Sequence, residues 1–137
     1  MKKHIILFGL TMFTLLACEN SIEGPEDEID NGGSTGLSAT FSSIQQQVFT
    51  PSCAIPACHG GSQPPDLTSG NSYNNLVNIA STQNPSLSRV KPGDSANSWL
   101  IRKLTGNGTS LMPPAGQLPQ ATIDSIKLWI DNGAVNN

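Results

Sequence analysis

Charge is scarce in this 137-residue chain: Asp, Glu, Lys and Arg together make up 12%, and the formal net charge is −3. Beyond residue 37 the only charged side chains are Arg89, Lys91, Arg102, Lys103 and Lys127 against Asp66, Asp94, Asp124 and Asp131. No basic stripe is present there, which removes nucleic acid from the expected partners. Neither Asp66 nor Asp124 has a neighbour in sequence that would tune it as a general acid or base. Long hydrophobic runs are also missing. The longest, Ile5 to Ala17, is too short to span a bilayer comfortably. Aromatic residues amount to 5%, and in the part beyond residue 37 they are Phe41, Phe49, Tyr73, Trp99 and Trp129. About a hundred residues with so few large side chains build a small core, and small domains often depend on a disulfide, a metal or a cofactor. Histidine occurs twice, cysteine and methionine three times each. That scarcity makes the position of each one informative.

Met1-Lys2-Lys3-His4 followed by the apolar run has the charged n-region and short h-region of a secretory signal. Leu15-Leu16-Ala17-Cys18 closes it and resembles the lipobox of bacterial lipoproteins. The resemblance implies cleavage after residue 17 and lipidation of Cys18, so that the product is exported and lipid-anchored to a membrane of a bacterial cell envelope, on its periplasmic or cell-surface side. Several acyl chains on one cysteine hold a protein stably where a single chain is marginal. A plain export signal is the alternative. Residues 18–37 then read as a tether, acidic at first (Glu19, Glu23, Glu26, Asp27, Glu28, Asp30) and Gly/Ser-rich after Asn31, with too little apolar surface to offset the entropy of ordering. The remaining residues, 38–137, form one expected domain.

Within it the hydrophobic spacing is helical. Phe41, Ile44, Val48 and Phe49 predict an amphipathic helix ending at Pro51. Tyr73, Leu76, Val77 and Ala80 predict a short second one. A third, with Asp94 or Ser95 as its cap, carries Trp99, Leu100, Ile101 and Leu104 and stops at Gly106-Asn107-Gly108. The last runs from near Pro119 to Asp131, with Ile123, Ile126 and Ile130 along one face and Gly133 in the C-terminal capping position. Nothing reads as a strand, so the expected class is all-α with about four helices.

Cys53 and Cys58 flank Ala54-Ile55-Pro56-Ala57, and His59 follows directly. With the leader removed, His59 is the one histidine and Met112, in Leu111-Met112-Pro113-Pro114, the one methionine. Two thiols can add across the two vinyl groups of a haem, the adjoining imidazole can take one axial position on the iron, and a thioether further along can take the other. Cys53, Cys58, His59 and Met112 are therefore the candidate cofactor-binding residues, His59 and Met112 the candidate iron ligands. Lys91, Lys103 and Lys127 sit in stretches that read as solvated. The usual attachment motif has two residues between the cysteines, whereas this one has four. The spacer must bulge outward, and Pro56 favours such a turn over continued helix.

Several short pieces occur in order: Cys-x4-Cys-His-Gly over 53–60, Asp66-Leu67, Val90-Lys91-Pro92-Gly93-Asp94, Ser98-Trp99-Leu100, Lys103-Leu104, Met112-Pro113-Pro114, and Trp129-Ile130 through Gly133-Ala134. In this the stretch from Phe41 to Ala134 resembles the compact class I cytochrome c domains of planctomycete type and of related bacterial lipoproteins. Pro119 departs from the pattern, standing where a serine often caps the final helix. The resemblance implies one covalent haem c, tolerance of the longer cysteine spacing, and a proline carbonyl close to the histidine's second ring nitrogen. It also implies electron transfer with unidentified redox partner proteins rather than an enzymatic reaction, in a monomeric domain. Trp99 and Trp129 are expected as core side chains, and Arg89 and Lys91 as exposed loop cations.

Three rivals stay open on the residues alone. One is a haem-free envelope module closed by a Cys53–Cys58 disulfide. Another is a peroxidase-like haem enzyme in which Met112 leaves the iron. A zinc site would need a fourth ligand, such as Asp66, beside the two thiolates and the imidazole.

Overall fold

The structure, a computed structural model, describes residues 36–137. The expected leader over 1–17, the lipidation site Cys18 and nearly all of the 18–37 tether lie outside the described residues. Four α-helices are present: α1 (Phe41–Ile44), α2 (Ser72–Leu76), α3 (Trp99–Thr105) and α4 (Gln120–Asp131). Among the described residues there is no strand, only two isolated bridges, Val77 with Val90 and Ala80 with Ser88. The class is all-α.

Thr40 starts α1 by accepting the Ser43 N–H on its side-chain oxygen. Two more amides of the first turn are met from the far end of the chain, where the Asn137 side chain accepts from Phe41 N–H at 2.9 Å and its backbone carbonyl from Ser42 N–H at 2.8 Å. The helix does not stop at Pro51. It passes into a π-helical stretch, Gln45–Cys53, with Pro51 inside it. Proline lacks an N–H and its ring strikes the carbonyl four residues back in an α-helix. A wider turn moves that carbonyl from under the ring, and the register persists into Ala54, whose N–H donates to Phe49 O at 2.7 Å. The expected end at Pro51 is thus passed by one short turn, which carries Cys53 to the helix terminus.

The second helix is shorter than its apolar spacing predicts. It ends at Leu76; Val77 is extended, Asn78 is left-handed at φ 59°, and Val77 and Ala80 pair across to Val90 and Ser88. Apolar side chains at 76, 77 and 80 satisfy a bridge as readily as a helix face, and Asn tolerates the left-handed turn between them. The cap of α3 is also corrected. Ser98, not Asp94 or Ser95, precedes its first residue. Asp94 is held elsewhere, accepting from Asn97 N–H and pairing with Lys91 Nζ at 2.7 Å. Gly106 ends the helix at φ 68°, as its position in the sequence predicts.

Helix α4 buries Ile123, Ile126, Trp129 and Ile130. Its C-terminus closes in a Schellman motif: Gly133 N–H donates to Ile130 O and Ala134 N–H to Trp129 O, both at 2.9 Å, with Gly133 at φ 98°. Phe41 of α1 lies against Trp129 with ring centroids 5.5 Å apart and against Tyr73 edge-on at 5.1 Å. The core therefore joins the first helix to the last. It continues through Ile44, Val48, Phe49, Leu67, Leu76, Val90, Ile101 and Leu104.

Candidate functional site

The π-helical stretch delivers Cys53 to the edge of a cavity of about 320 Å³, within the ordinary range of about 300–1,000 Å³ for ligand sites. Cys58, His59 and Met112 line the same cavity. Four side chains spread over sixty residues of chain thus converge on one space. Phe49, Leu67, Leu76, Leu100 and Leu104 make much of its wall, with Pro64, Pro65, Pro113 and Pro114 around it.

The spacer between the cysteines bulges as expected, leaving Ile55, Pro56 and Ala57 exposed. Three backbone bonds close it: His59 N–H to Cys53 O at 2.9 Å, and Cys58 N–H and Gly60 N–H to Ile55 O at 2.9 and 3.1 Å. Both thiols are free and half-buried. Burial, and secondarily the neighbouring Cys58, push the Cys53 thiol up to about 11. At neutral pH, with nothing bound, Cys53 is a protonated thiol.

The imidazole of His59 is anchored through Nδ1, which lies 3.1 Å from Pro65 O. That contact fits a tautomer with its proton on Nδ1, leaving the Nε2 lone pair free to bind a metal. The loop carrying Pro65 is itself pinned, since Leu67 N–H donates to His59 O at 2.8 Å and the buried Gln45 side chain donates to Leu67 O at 3.0 Å. The carbonyl expected from the resemblance is that of Pro65. Met112 is fixed on the other side by its own N–H, which donates to Lys103 O at the end of α3 at 2.8 Å.

Two basic side chains, Arg89 and Lys103, line the cavity, and no acidic one does. This corrects two expectations. Lys103 is buried rather than solvated, with Nζ donating to Ser110 Oγ at 2.9 Å and Thr109 Oγ1 at 3.3 Å. Arg89 is half-buried and donates to Asn75 O at 2.8 Å, whereas Lys91 is exposed as expected. Lys103 could have been placed from sequence, because it lies four residues after Trp99 and three after Leu100, both cavity-lining residues of the same helix. The tryptophans divide. Trp129 is a core side chain whose indole donates to Val135 O at 2.9 Å, while Trp99 lines the cavity and donates to Gln83 Oε1 at 3.2 Å.

Asp66, weighed as a zinc ligand, instead accepts from Thr68 N–H, Thr68 Oγ1 and Asn71 Nδ2. Those bonds hold its carboxyl below the usual carboxylate range. Among the described residues no group of three or more His, Cys, Asp or Glu is gathered as a metal site would need. The donor set therefore fits a haem better than a bare ion: one imidazole and one thioether for the iron, two thiols for covalent attachment, an apolar wall for the ring, and two basic side chains for its two carboxylates. Comparison of the chain with protein-family models, with curated proteins and with solved structures finds no match.

Proposed function

We propose that the protein is a membrane-tethered monohaem c-type cytochrome of class I-like fold, its helices packed around one covalent haem, and that it carries electrons rather than catalysing a reaction. The observation that carries this reading is the convergence of Cys53, Cys58, His59 and Met112 on one apolar cavity, with the His59 ring already oriented by Pro65 O. When bound, the haem supplies a one-electron Fe(III)/Fe(II) couple. Cys53 and Cys58 would hold it by thioether bonds. His59 would hold the iron through Nε2, its ring oriented by the contact of Nδ1 with Pro65 O. Met112 would supply the second iron ligand, and a thioether there would favour the ferrous state and raise the potential relative to a second imidazole. Arg89 and Lys103 would offset the charge of its carboxylates, and Leu67, Leu76, Leu100 and Leu104 would keep water from the ring. Were both side chains to bind the iron, no position would remain for a substrate, as suits a carrier rather than a peroxidase. Cys18, as the lipidated residue, tethers the domain to the envelope membrane, where its redox partner proteins meet it.

The purified holoprotein is expected to give a low-spin spectrum with a methionine-type ligand signature. Met112→Ala is expected to lower the reduction potential and to admit exogenous ligands such as cyanide or imidazole at the iron. A high-spin ferric spectrum in the unaltered protein would remove the carrier reading. An unchanged spectrum in the variant would show that another residue is the ligand.

A further inference from the structure

The bond from His59 N–H to Cys53 O deserves comparison with a regular helix. In an α-helix each N–H donates to the carbonyl four residues back. That same bond joins the histidine to the first cysteine in a motif with two residues between the cysteines. Here it spans six positions at 2.9 Å, so the two ends of the motif meet as in one helical turn while two extra residues are looped out. The loop closes against Gly60. A Cβ built there would lie 2.7 Å from Ala54 O, 2.8 Å from Ile55 O and 2.9 Å from Ile55 C. All three are backbone atoms, and Ile55 O already accepts from Cys58 N–H and Gly60 N–H. They can yield only if the spacer moves. At Gly61, the next residue, the demand is different: a Cβ would meet nothing within 4 Å, and it is the left-handed φ of 100° that favours glycine.

We propose that Gly60 is a positioning residue of the attachment motif: by letting the spacer backbone fold onto it, Gly60 sets the separation of the Cys53 and Cys58 sulfurs and makes the long spacing usable for two-point attachment. This rests on the c-type cytochrome reading. In each attachment a thiol adds across a vinyl double bond. The S–H bond breaks, sulfur bonds to one vinyl carbon and the hydrogen goes to the other, so no oxidant or leaving group is needed. Two such additions to one rigid ring require both sulfurs at a fixed separation. A side chain at 60 displaces the spacer and leaves only one in reach.

The test compares the full chain with Gly60→Ala and with Gly60→Ala in a chain lacking Ile55 and Pro56, all made in a host that attaches haem. The ratio of doubly to singly attached haem is read from the pyridine haemochrome band and from peptide masses. Gly60→Ala is expected to lower that ratio at least tenfold, and removal of Ile55 and Pro56 to restore it. Double attachment in Gly60→Ala as in the unaltered chain would overturn the proposal, as would failure of the shortened chain to rescue it. A second measurement needs no haem. In a host without attachment machinery, the Cys53–Cys58 disulfide is equilibrated with glutathione, and Gly60→Ala is expected to weaken it about tenfold, a shift of about 30 mV for a two-electron couple. Equal values would overturn the role of Gly60. An unaltered chain that takes no haem in the attaching host would instead sink the cytochrome reading, while the glutathione measurement would still decide whether Gly60 sets the sulfur separation.

Discussion

Cys53 is the side chain whose chemistry depends most on its surroundings. Burial and the nearby Cys58 both disfavour its thiolate, and they raise it from 9.0 to about 11. Because the thiolate is the nucleophile, Cys53 of the haem-free protein is expected to alkylate slowly at neutral pH, with a rate that climbs until about pH 11. Peptide mapping after timed iodoacetamide treatment reads that rate; a plateau reached near the ordinary thiol value would contradict the buried environment. Asp66 behaves in the opposite sense. Hydrogen bonds from Thr68, and then from Asn71, favour its charged form and lower it from 3.8. A lowered carboxyl adds stability that is present above the unfolded value and disappears as pH falls through the folded one. Asp66→Asn is therefore expected to lower the thermal midpoint at neutral pH, and the gap to the unaltered protein should close below about pH 4. A gap that persists in acid would show that the loss comes from geometry rather than charge.

At the scale of elements, the ends of helices decide more than their middles. Gly133 holds φ 98° between two closing hydrogen bonds of α4, and that conformation costs an L residue roughly 1–2 kcal/mol. Gly133→Ala should cost about that much in urea unfolding, with the cavity unchanged, since α4 does not line it. A neutral effect would mean that the Schellman closure is not held as described. The glycine stops at 106 and 133 were legible in the sequence because left-handed closure has a local residue signature. Other ends were not. The π-helical passage through Pro51 depends on how the widened turn relieves the ring, which no periodicity records. The end of α2 was hidden because Val77 and Ala80 fit both a helix face and the bridges to Val90 and Ser88. The cap of α3 shifted to Ser98 because the Asp94 carboxylate is engaged by Asn97 and Lys91. The candidate site was more legible than the helix boundaries. Histidine, methionine and paired cysteines are so rare in this chain that their chemistry could be assembled without knowing the path between them. Lys103 shares a helix face with Trp99 and Leu100 and was legible in that register, whereas the inward turn of Arg89 and the backbone crowding at Gly60 have no signature in the sequence.

For the molecule as a whole, one small core joins α1 to α4 through Phe41 and Trp129, and the cavity lies on its other side, walled by Phe49, Leu67, Leu76 and Leu104, which belong to that same core. A domain of this size would gain a large share of its buried apolar surface from whatever filled such a space, so a ligand bound there would stabilise the fold. The lack of charge on the cavity wall apart from Arg89 and Lys103 suits an apolar ring bearing acidic groups. The measurement that tests this account most directly is a pyridine haemochrome spectrum, paired with the denatured mass, of the exported protein from its native host. The account predicts a haem that stays with the polypeptide through denaturation and shows the band of a ring whose two vinyl groups are both converted to thioethers. A colourless product with the mass of the polypeptide alone, its Cys53 and Cys58 joined to each other, would contradict it.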